Sequence, residues 1–236
     1  MTTARRAELA GNLTAIRARV AAACAAAGRD VSEITLIAVT KTRPAEDVVA
    51  LAGLGLTDFG ENRDQEAAPK AAAVAEAMAA VRWHFIGQLQ TNKAPSVVRY
   101  ASVVHSVDRV RLVRALGSAV RAAGAAPVTC LVQVSLDGDP TRGGALISQL
   151  PEIATAIEAA DGLALGGVMA VAPLGVAPEV AFAALPAIWD TAREICPAAT
   201  IISAGMCGDL EAAVRNGATH LRIGTALLGN RSLPVL

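Results

Sequence analysis

Lys41 is the residue whose type and position point most directly to chemistry. The chain has only three lysines, Lys41, Lys70 and Lys93, among its 21 basic residues. Lys41 directly follows the apolar run Ile34–Thr40, which predicts a buried strand. At the mouth of a dry core, desolvation lowers the pKa of a lysine and frees its amine to attack a carbonyl group. The sequence therefore predicts Schiff-base chemistry at Lys41; the alternative is a lysine that simply extends its amine into water.

Two segments rich in small residues supply the second signal. They are Ser203–Asp209 and Arg222–Thr225. Small residues let main-chain N–H groups approach an anion, and the Ser203 and Thr225 hydroxyls add donors. These segments predict a phosphate site, with ordinary turns as the alternative.

Lys41 and the two segments together favour a ligand that carries both an aldehyde and a phosphate. Pyridoxal 5'-phosphate (PLP) has both groups. Arg222 could then donate to the nitrogen of its pyridine ring.

The elements that must position these residues follow from the pattern of apolar runs, which alternate with longer amphipathic segments. Eight runs predict strands: Ile34–Thr40, Thr57–Gly60, Trp83–Gly87, Val103–Val107, Val128–Leu136, Leu163–Ala172, Thr200–Ala204 and Leu221–Leu228. Seven segments predict the helices between them: Pro44–Leu54, Arg63–Ala80, Thr91–Tyr100, Asp108–Ala123, Ile147–Ala160, Pro178–Ile195 and Asp209–Asn216. An opening helix precedes the first strand, with Leu9, Leu13, Ile16 and Val20 at helical spacing.

Eight continuously apolar strands that alternate with helices predict an α/β fold, a (β/α)8 TIM barrel with an additional N-terminal helix. A doubly wound open sheet is the alternative. No helix candidate follows the last strand, and we expect the opening helix to cover that gap. We expect one domain over residues 1–236, with its site at the carboxyl ends of the strands, where Lys41 and the two small-residue segments would meet.

Composition excludes several classes of protein. Lys plus Arg and Asp plus Glu are both 21, and this zero net charge argues against a nucleic-acid binder. The four cysteines form no C-x-x-C pair, which predicts neither zinc nor disulfides and indicates a cytoplasmic protein. We expect no secretory leader and no membrane span, because glycines and prolines interrupt the weakly charged stretch Leu163–Trp189. The three scattered histidines give no metal-binding pattern, and each is interpreted as a hydrogen-bonded core residue.

Seven segments make the sequence similar to the family of pyridoxal phosphate homeostasis proteins. These segments are Ala38–Pro44, Phe59–Asn62, Trp83–Gly87, Leu89–Lys93, Gly167–Ala170, Ser203–Met206 and Arg222–Thr225. The resemblance implies a barrel like that of alanine racemase (PLP fold type III), which carries PLP as an aldimine on Lys41.

The resemblance also implies the residues that hold the cofactor. It assigns phosphate contacts to Ser203, Gly205, Met206, Gly224 and Thr225, a place near the ring nitrogen to Arg222 and the lining of the ring to Asn62. Met169 is also expected among the cofactor-binding residues. In this family the implied role is a monomeric PLP carrier or reservoir that makes transient contact with apo-enzymes and affects amino-acid and keto-acid balance, without catalytic turnover. An arginine at the ring nitrogen agrees, because it leaves that nitrogen unprotonated and the cofactor a weaker electron sink.

Two departures from the family pattern stand out. Thr141–Gly144 replaces the Ser-Lys-Ser-Gly that is usual in the family, so a second lysine near the cofactor is missing. Cys207 replaces the serine that usually follows Gly-Met, which removes one hydroxyl from the phosphate site.

Two enzymatic alternatives remain. An amino-acid racemase needs a second base, typically a tyrosine, whereas the only tyrosine here, Tyr100, leads into the fourth predicted strand and is expected at the opposite end of the barrel. A PLP-free enzyme could instead use Lys41 as the Schiff-base former, with Glu61 or Asp137 as its acid or base.

Overall fold

In the computed structural model, which describes residues 1–77, 81–139 and 143–229, eight parallel strands close into a barrel. The strands follow one another around the barrel in chain order, and the last pairs with the first, with Ala38 beside Ile223. The strands are β1 Thr35–Val39, β2 Asp58–Glu61, β3 Arg82–Phe85, β4 Ala101–Val107, β5 Val128–Gln133, β6 Leu163–Met169, β7 Ile201–Ser203 and β8 His220–Ile223. The predicted (β/α)8 barrel is confirmed, and the open-sheet alternative is wrong.

Helices surround the strands. In the described ranges they are α1 Thr3–Ala27, α2 Ala45–Ala52, α3 Asp64–Ala77, α4 Ala94–Val97, α5 Val110–Ala123, α6 Leu150–Glu158, α7 Pro178–Phe182, α8 Leu185–Ile195, α9 Leu210–Arg215 and α10 Thr225–Leu228. Short 3₁₀ turns cover Val31–Glu33, Thr91–Lys93 and Ile147–Gln149. Within these ranges no helix is both long enough and apolar enough to cross a membrane.

The core has two parts. A large apolar layer lies between strands and helices. A second, smaller cluster joins Val103, Leu131 and Met169 from three neighbouring strands. Tight packing here depends on Gly167, which has a φ of 143° and where a Cβ would lie 1.9 Å from the carbonyl oxygen of Ile201. No other residue type lets β6 approach β7 this closely.

The end of the barrel differs from the prediction. The strand predicted over Leu221–Leu228 stops at Ile223, and the short helix α10 begins at Thr225. Gly224, with φ −107° and ψ −90°, interrupts the extended backbone between them.

Helix α1 covers this end, as expected. Asn12 donates to the Leu227 carbonyl at 3.0 Å, and Arg5 donates to the Leu228 carbonyl at 3.0 Å. Gly28 ends α1 in the left-handed conformation with φ 65°, which glycine adopts without steric cost.

Other boundaries shift modestly. The helix predicted over Pro178–Ile195 is two helices, α7 and α8, and Pro186 lies in the first turn of α8, where its missing N–H costs nothing. The helix predicted over Arg63–Ala80 begins at Asp64, and its last three residues lie outside the described ranges.

Candidate functional site

Lys41 lies on the rim of the barrel at the carboxyl end of β1. It is exposed, and its amine makes no hydrogen bond or ion pair with any described residue. A small cavity of about 60 Å³ is lined by Lys41 together with Gly224 and Thr225. The structure thus brings the predicted nucleophile and one predicted phosphate segment together. The expectation that Lys41 is desolvated is wrong, however. Because β1 ends at Val39 and the chain turns after Thr40, the side chain of Lys41 is exposed to solvent.

Lys70 has the opposite environment directly beneath this rim. It is 7% exposed. Its amine donates to the Thr40 carbonyl at 2.8 Å, to Glu61 Oε1 at 2.6 Å and to Glu66 Oε1 at 2.8 Å. An ammonium has three donors, so all of them are used. Lys70 is therefore a structural cation and is not available as a nucleophile.

Glu61 and Glu66 link this lysine to the segment around Lys41. Glu61 is fully buried, and it also accepts a hydrogen bond from the Thr40 hydroxyl at 2.7 Å. Burial raises the pKa of Glu61, and the hydrogen bonds from Lys70 and Thr40 act against this rise. Glu61 Oε2 has no hydrogen-bond partner in the described part of the chain.

Thr42 has a strained backbone on the other side of Lys41. Its φ of 65° is the only positive φ at a non-glycine residue of the described chain. The Thr42 N–H donates to the carboxylate of Glu66, which also holds Lys70. Both neighbours of Lys41 are therefore fixed, while the lysine side chain itself stays unpaired.

The two small-residue segments contact each other. The Arg222 N–H donates to the Gly205 carbonyl at 3.0 Å, and the Ala226 N–H donates to Cys207 Sγ at 3.4 Å. The cysteine at the family's serine position thus ties the two segments together. Gly205 has φ 91°, and a Cβ there would lie 2.6 Å from Ala213 Cβ, so this turn requires glycine. The N–H of Met206 already donates to the Asp209 carboxylate.

Arg222 is a buried cation inside the barrel. It donates to the Ser203 carbonyl at 2.8 Å, to Ser203 Oγ at 2.6 Å and to the Ala170 carbonyl at 2.9 Å. Burial lowers its pKa to about 10, with Asp209 acting in the other direction, so it stays charged at neutral pH. Two of its five N–H donors make no hydrogen bond with described residues and remain for another acceptor.

Ser203 lies beside Arg222. It is fully buried, and its hydroxyl bonds to Arg222 and, at 2.9 Å, to His105 Nδ1. In the structure this hydroxyl supports Arg222, and its contact with phosphate stays a prediction. The predicted phosphate contacts of Gly205, Met206, Gly224 and Thr225 stay predictions.

Asn62 and Met169 lie outside the small Lys41 cavity. Asn62 lines a neighbouring cavity of about 670 Å³ with Phe85. Its main chain packs against Gly87, where a Cβ would lie 2.1 Å from the Asn62 carbonyl oxygen. Met169 is buried in the small inner cluster. Their contacts with the cofactor stay predictions.

The departure from the family pattern at Thr141 and Arg142 lies outside the described residues.

The contacts that the histidines form were not predicted from their separate positions in the sequence. His84 and His105 are hydrogen-bonded core residues, as predicted, and they bond to each other at 2.8 Å. His84 also bonds to Asp58 at 2.8 Å. Their similar positions on successive strands were a signal that the two rings could meet.

The fold and this site define a class of protein: a (β/α)8 barrel with an unpaired lysine at the end of β1 and a buried arginine on β8. The sequence model of the alanine racemase N-terminal domain matches residues 11–232. An alanine racemase from Corynebacterium glutamicum shares the fold, with a TM-score of 0.69 at 14% identity over 98% of this chain and 62% of that chain.

Closer relatives identify the family. The pyridoxal phosphate homeostasis protein of Mycobacterium bovis is 45% identical over 97% of this chain and 95% of its own length. The structure of PipY from Synechococcus elongatus with PLP bound has a TM-score of 0.81 at 30% identity, covering 94% of this chain and 100% of that chain. The chain belongs to the family of pyridoxal phosphate homeostasis proteins.

Proposed function

We propose that the protein binds PLP as a Schiff base on Lys41 and acts as a carrier or reservoir in PLP homeostasis. The observation that carries the proposal is the unpaired amine of Lys41 beside Gly224 and Thr225. The Lys41 amine attacks the aldehyde carbon, a C=N bond forms, and water leaves. Support comes from the relative whose structure contains PLP. In this function the chain is one binding domain that works in the cytoplasm.

The donor groups of the site fit such a cofactor. In this proposal the main chain of Gly224 and the exposed hydroxyl of Thr225 hold the phosphate, with the Gly205–Met206 turn beside them. Arg222 has two N–H donors left, which suit an unprotonated ring nitrogen as acceptor. Asn62 and Met169 would line the ring.

The structure favours binding without turnover over racemization. A racemase needs a second base, and Tyr100 is the only tyrosine. Its hydroxyl donates to Asp64 at 3.4 Å, and burial together with the Asp64 charge raises its pKa. Tyr100 is thus a poor base. We expect no interconversion of alanine enantiomers by the pure protein; activity that disappears in Lys41→Ala would contradict this.

An absorption titration tests the proposed function. We expect the wild-type protein to gain a near-visible band with PLP, and Lys41→Ala to show only free PLP. Lys93→Ala is the matched control, because Lys93 is a partly exposed lysine that lies 4.0 Å from Asp64, and it should keep the band. A colourless wild-type protein would overturn the proposal and favour a PLP-free Schiff-base enzyme.

Delivery of PLP to apo-enzymes would involve transient contacts. Because the net charge is zero, electrostatic steering is weak. The rate of PLP transfer to an apo-enzyme should therefore depend little on salt, and a steep dependence would contradict this part of the proposal.

A further inference from the structure

Five buried or nearly buried side chains form a continuous line of hydrogen bonds through the barrel. We call it the buried chain: Arg222, Ser203, His105, His84 and Asp58. Its links measure 2.6 Å from Arg222 to Ser203, 2.9 Å from Ser203 to His105, 2.8 Å from His105 to His84 and 2.8 Å from His84 to Asp58. It connects the end of the barrel that carries the proposed cofactor site with the beginning of β2.

When both imidazoles are neutral, the two ends of the buried chain fix the direction of every hydrogen bond in it. Arg222 can only donate, and an ionised Asp58 can only accept. His84 therefore carries its proton on Nε2, where it meets Asp58, and its Nδ1 accepts from His105 Nε2. His105 Nδ1 then accepts the proton of the Ser203 hydroxyl, whose oxygen accepts from Arg222. Each of the three groups between Arg222 and Asp58 thus accepts one hydrogen bond of the buried chain and donates the next.

This order requires both imidazoles to be neutral, and their surroundings support that state. Desolvation lowers the pKa of His84, against the effect of Asp58. Desolvation also lowers the pKa of the fully buried His105, and the nearby His84 and Arg222 add to the effect. The hydrogen bond from His84 in turn helps to lower the pKa of Asp58.

Other charged and titratable groups face the Asp58 end. Arg82 lies 3.5 Å from Asp58, and the Thr57 hydroxyl donates to it at 2.6 Å. The ring of His220 is 6.3 Å from that of His84, and it bonds to the Thr219 hydroxyl outside the buried chain. Burial acts against ionisation of Asp58, but Thr57 and Arg82 favour it together with His84, and the pKa of Asp58 is lowered.

The buried chain is not a path for protons, because Arg222 does not release one at neutral pH. Its effect is orientation. We propose that His105 and His84 are positioning residues which, through Ser203, hold Arg222 in place for the ring nitrogen of PLP, with Asp58 as the fixed end. The inference rests on the proposed function. It also means that Ser203 offers no proton to a ligand.

The first test uses the protein without ligand. Ring-nitrogen NMR of ¹⁵N-labelled protein should show His84 and His105 neutral with the proton on Nε2, at pH 7 and unchanged at pH 6. The chain has three histidines, and His220→Gln assigns the remaining signals. A proton on Nδ1 of either ring, or a charged ring at pH 7, would overturn the proposal.

The second test compares two buried serines. Ser203→Ala removes a link of the buried chain, whereas Ser106→Ala removes a hydroxyl without a partner among the described residues. We expect Ser203→Ala to weaken PLP binding about tenfold, the loss of about 1.4 kcal/mol, and to shift the near-visible maximum at saturating PLP. Ser106→Ala should leave both unchanged. Equal affinities and maxima in the two variants would overturn the positioning role.

A second pair of variants controls for a general loss of folding stability. His105→Gln should behave like Ser203→Ala, and His220→Gln like the wild type, since His220 is a partly buried histidine that does not belong to the buried chain. A purely structural role would lower stability without moving the maximum at saturation. Absence of any band in the wild type would contradict the proposed function and not the buried chain, which the ligand-free spectrum decides alone.

Discussion

Lysine side chains have opposite environments on the rim of the barrel and in the polar interior beneath it. On the rim, Lys41 is exposed and unpaired. In the interior, Lys70 uses all three donors on Thr40, Glu61 and Glu66. The comparison teaches that the availability of a lysine depends on its neighbours and not on its residue type. The interior lysine stabilises the fold, whereas the rim lysine is available to bind a ligand.

The largest effect should come from removing the interior lysine. Lys70→Met leaves Glu61 buried without its cation, which we expect to lower the free energy of unfolding by about 3–5 kcal/mol in urea denaturation. Adding Glu61→Gln should restore part of the loss, because no buried charge then remains unpaired. Lys93→Met, at a partly exposed pair, should cost at most about 1 kcal/mol. Equal losses for Lys70→Met and Lys93→Met would break the comparison.

Low pH should have the second largest effect, a decrease in the free energy of unfolding. The pKa values of His84, His105 and His220 are lowered in the fold, that of His220 from 6.5 to about 4 by burial. Below pH 6.5 the unfolded chain therefore binds more protons than the folded one, so stability is full above this pH and is lost as pH falls. His220 alone accounts for a loss of on the order of 3 kcal/mol in the free energy of unfolding at pH 4 relative to neutral pH. Urea denaturation between pH 7.5 and 4.5 checks this, and a flat profile would contradict it.

A change at the close contact between Gly87 and the main chain of Asn62 should have a smaller effect on stability. In Gly87→Ala the new Cβ would meet the Asn62 carbonyl oxygen at 2.1 Å, so the Asn62 backbone must move. We expect a loss of about 1–3 kcal/mol in unfolding free energy and weaker PLP binding in titration. Gly11→Ala, in exposed space on α1, is the control and should stabilise the protein by about 0.5–1 kcal/mol. Unchanged PLP affinity in Gly87→Ala would remove Asn62 from the site.

The smallest effect on stability should come from the rim lysine. Because Lys41 has no partner among the described residues, Lys41→Ala should change the unfolding free energy by less than about 0.5 kcal/mol while the PLP band disappears. A large loss of stability would show that Lys41 belongs to the structural network after all.

The sequence predicted the barrel and the proximity of Lys41 to Gly224 and Thr225, because both follow from local patterns of apolar runs and strand ends. Apolar runs gave eight strands, and the strand-end rule then placed Lys41 beside Gly224 and Thr225. The end of the last strand was missed, because the apolar run through Leu228 suits a strand and a helix equally well.

The interior polar network was not predictable in the same way. Lys70 lies on α3, Glu61 ends β2 and Thr40 follows β1, and only the folded register brings them together. The same holds for Ser203, which joins His105 across the barrel. The exposure of Lys41 was also missed, since a position after a strand does not show what surrounds the side chain.

Mapping the lysine that reacts with PLP tests the central comparison most directly. The wild-type protein with PLP is reduced with borohydride, digested, and the peptides are weighed. We expect the pyridoxyl mass on the peptide that contains Lys41 and none on that of Lys70. An adduct on Lys70 or Lys93 instead would contradict the account.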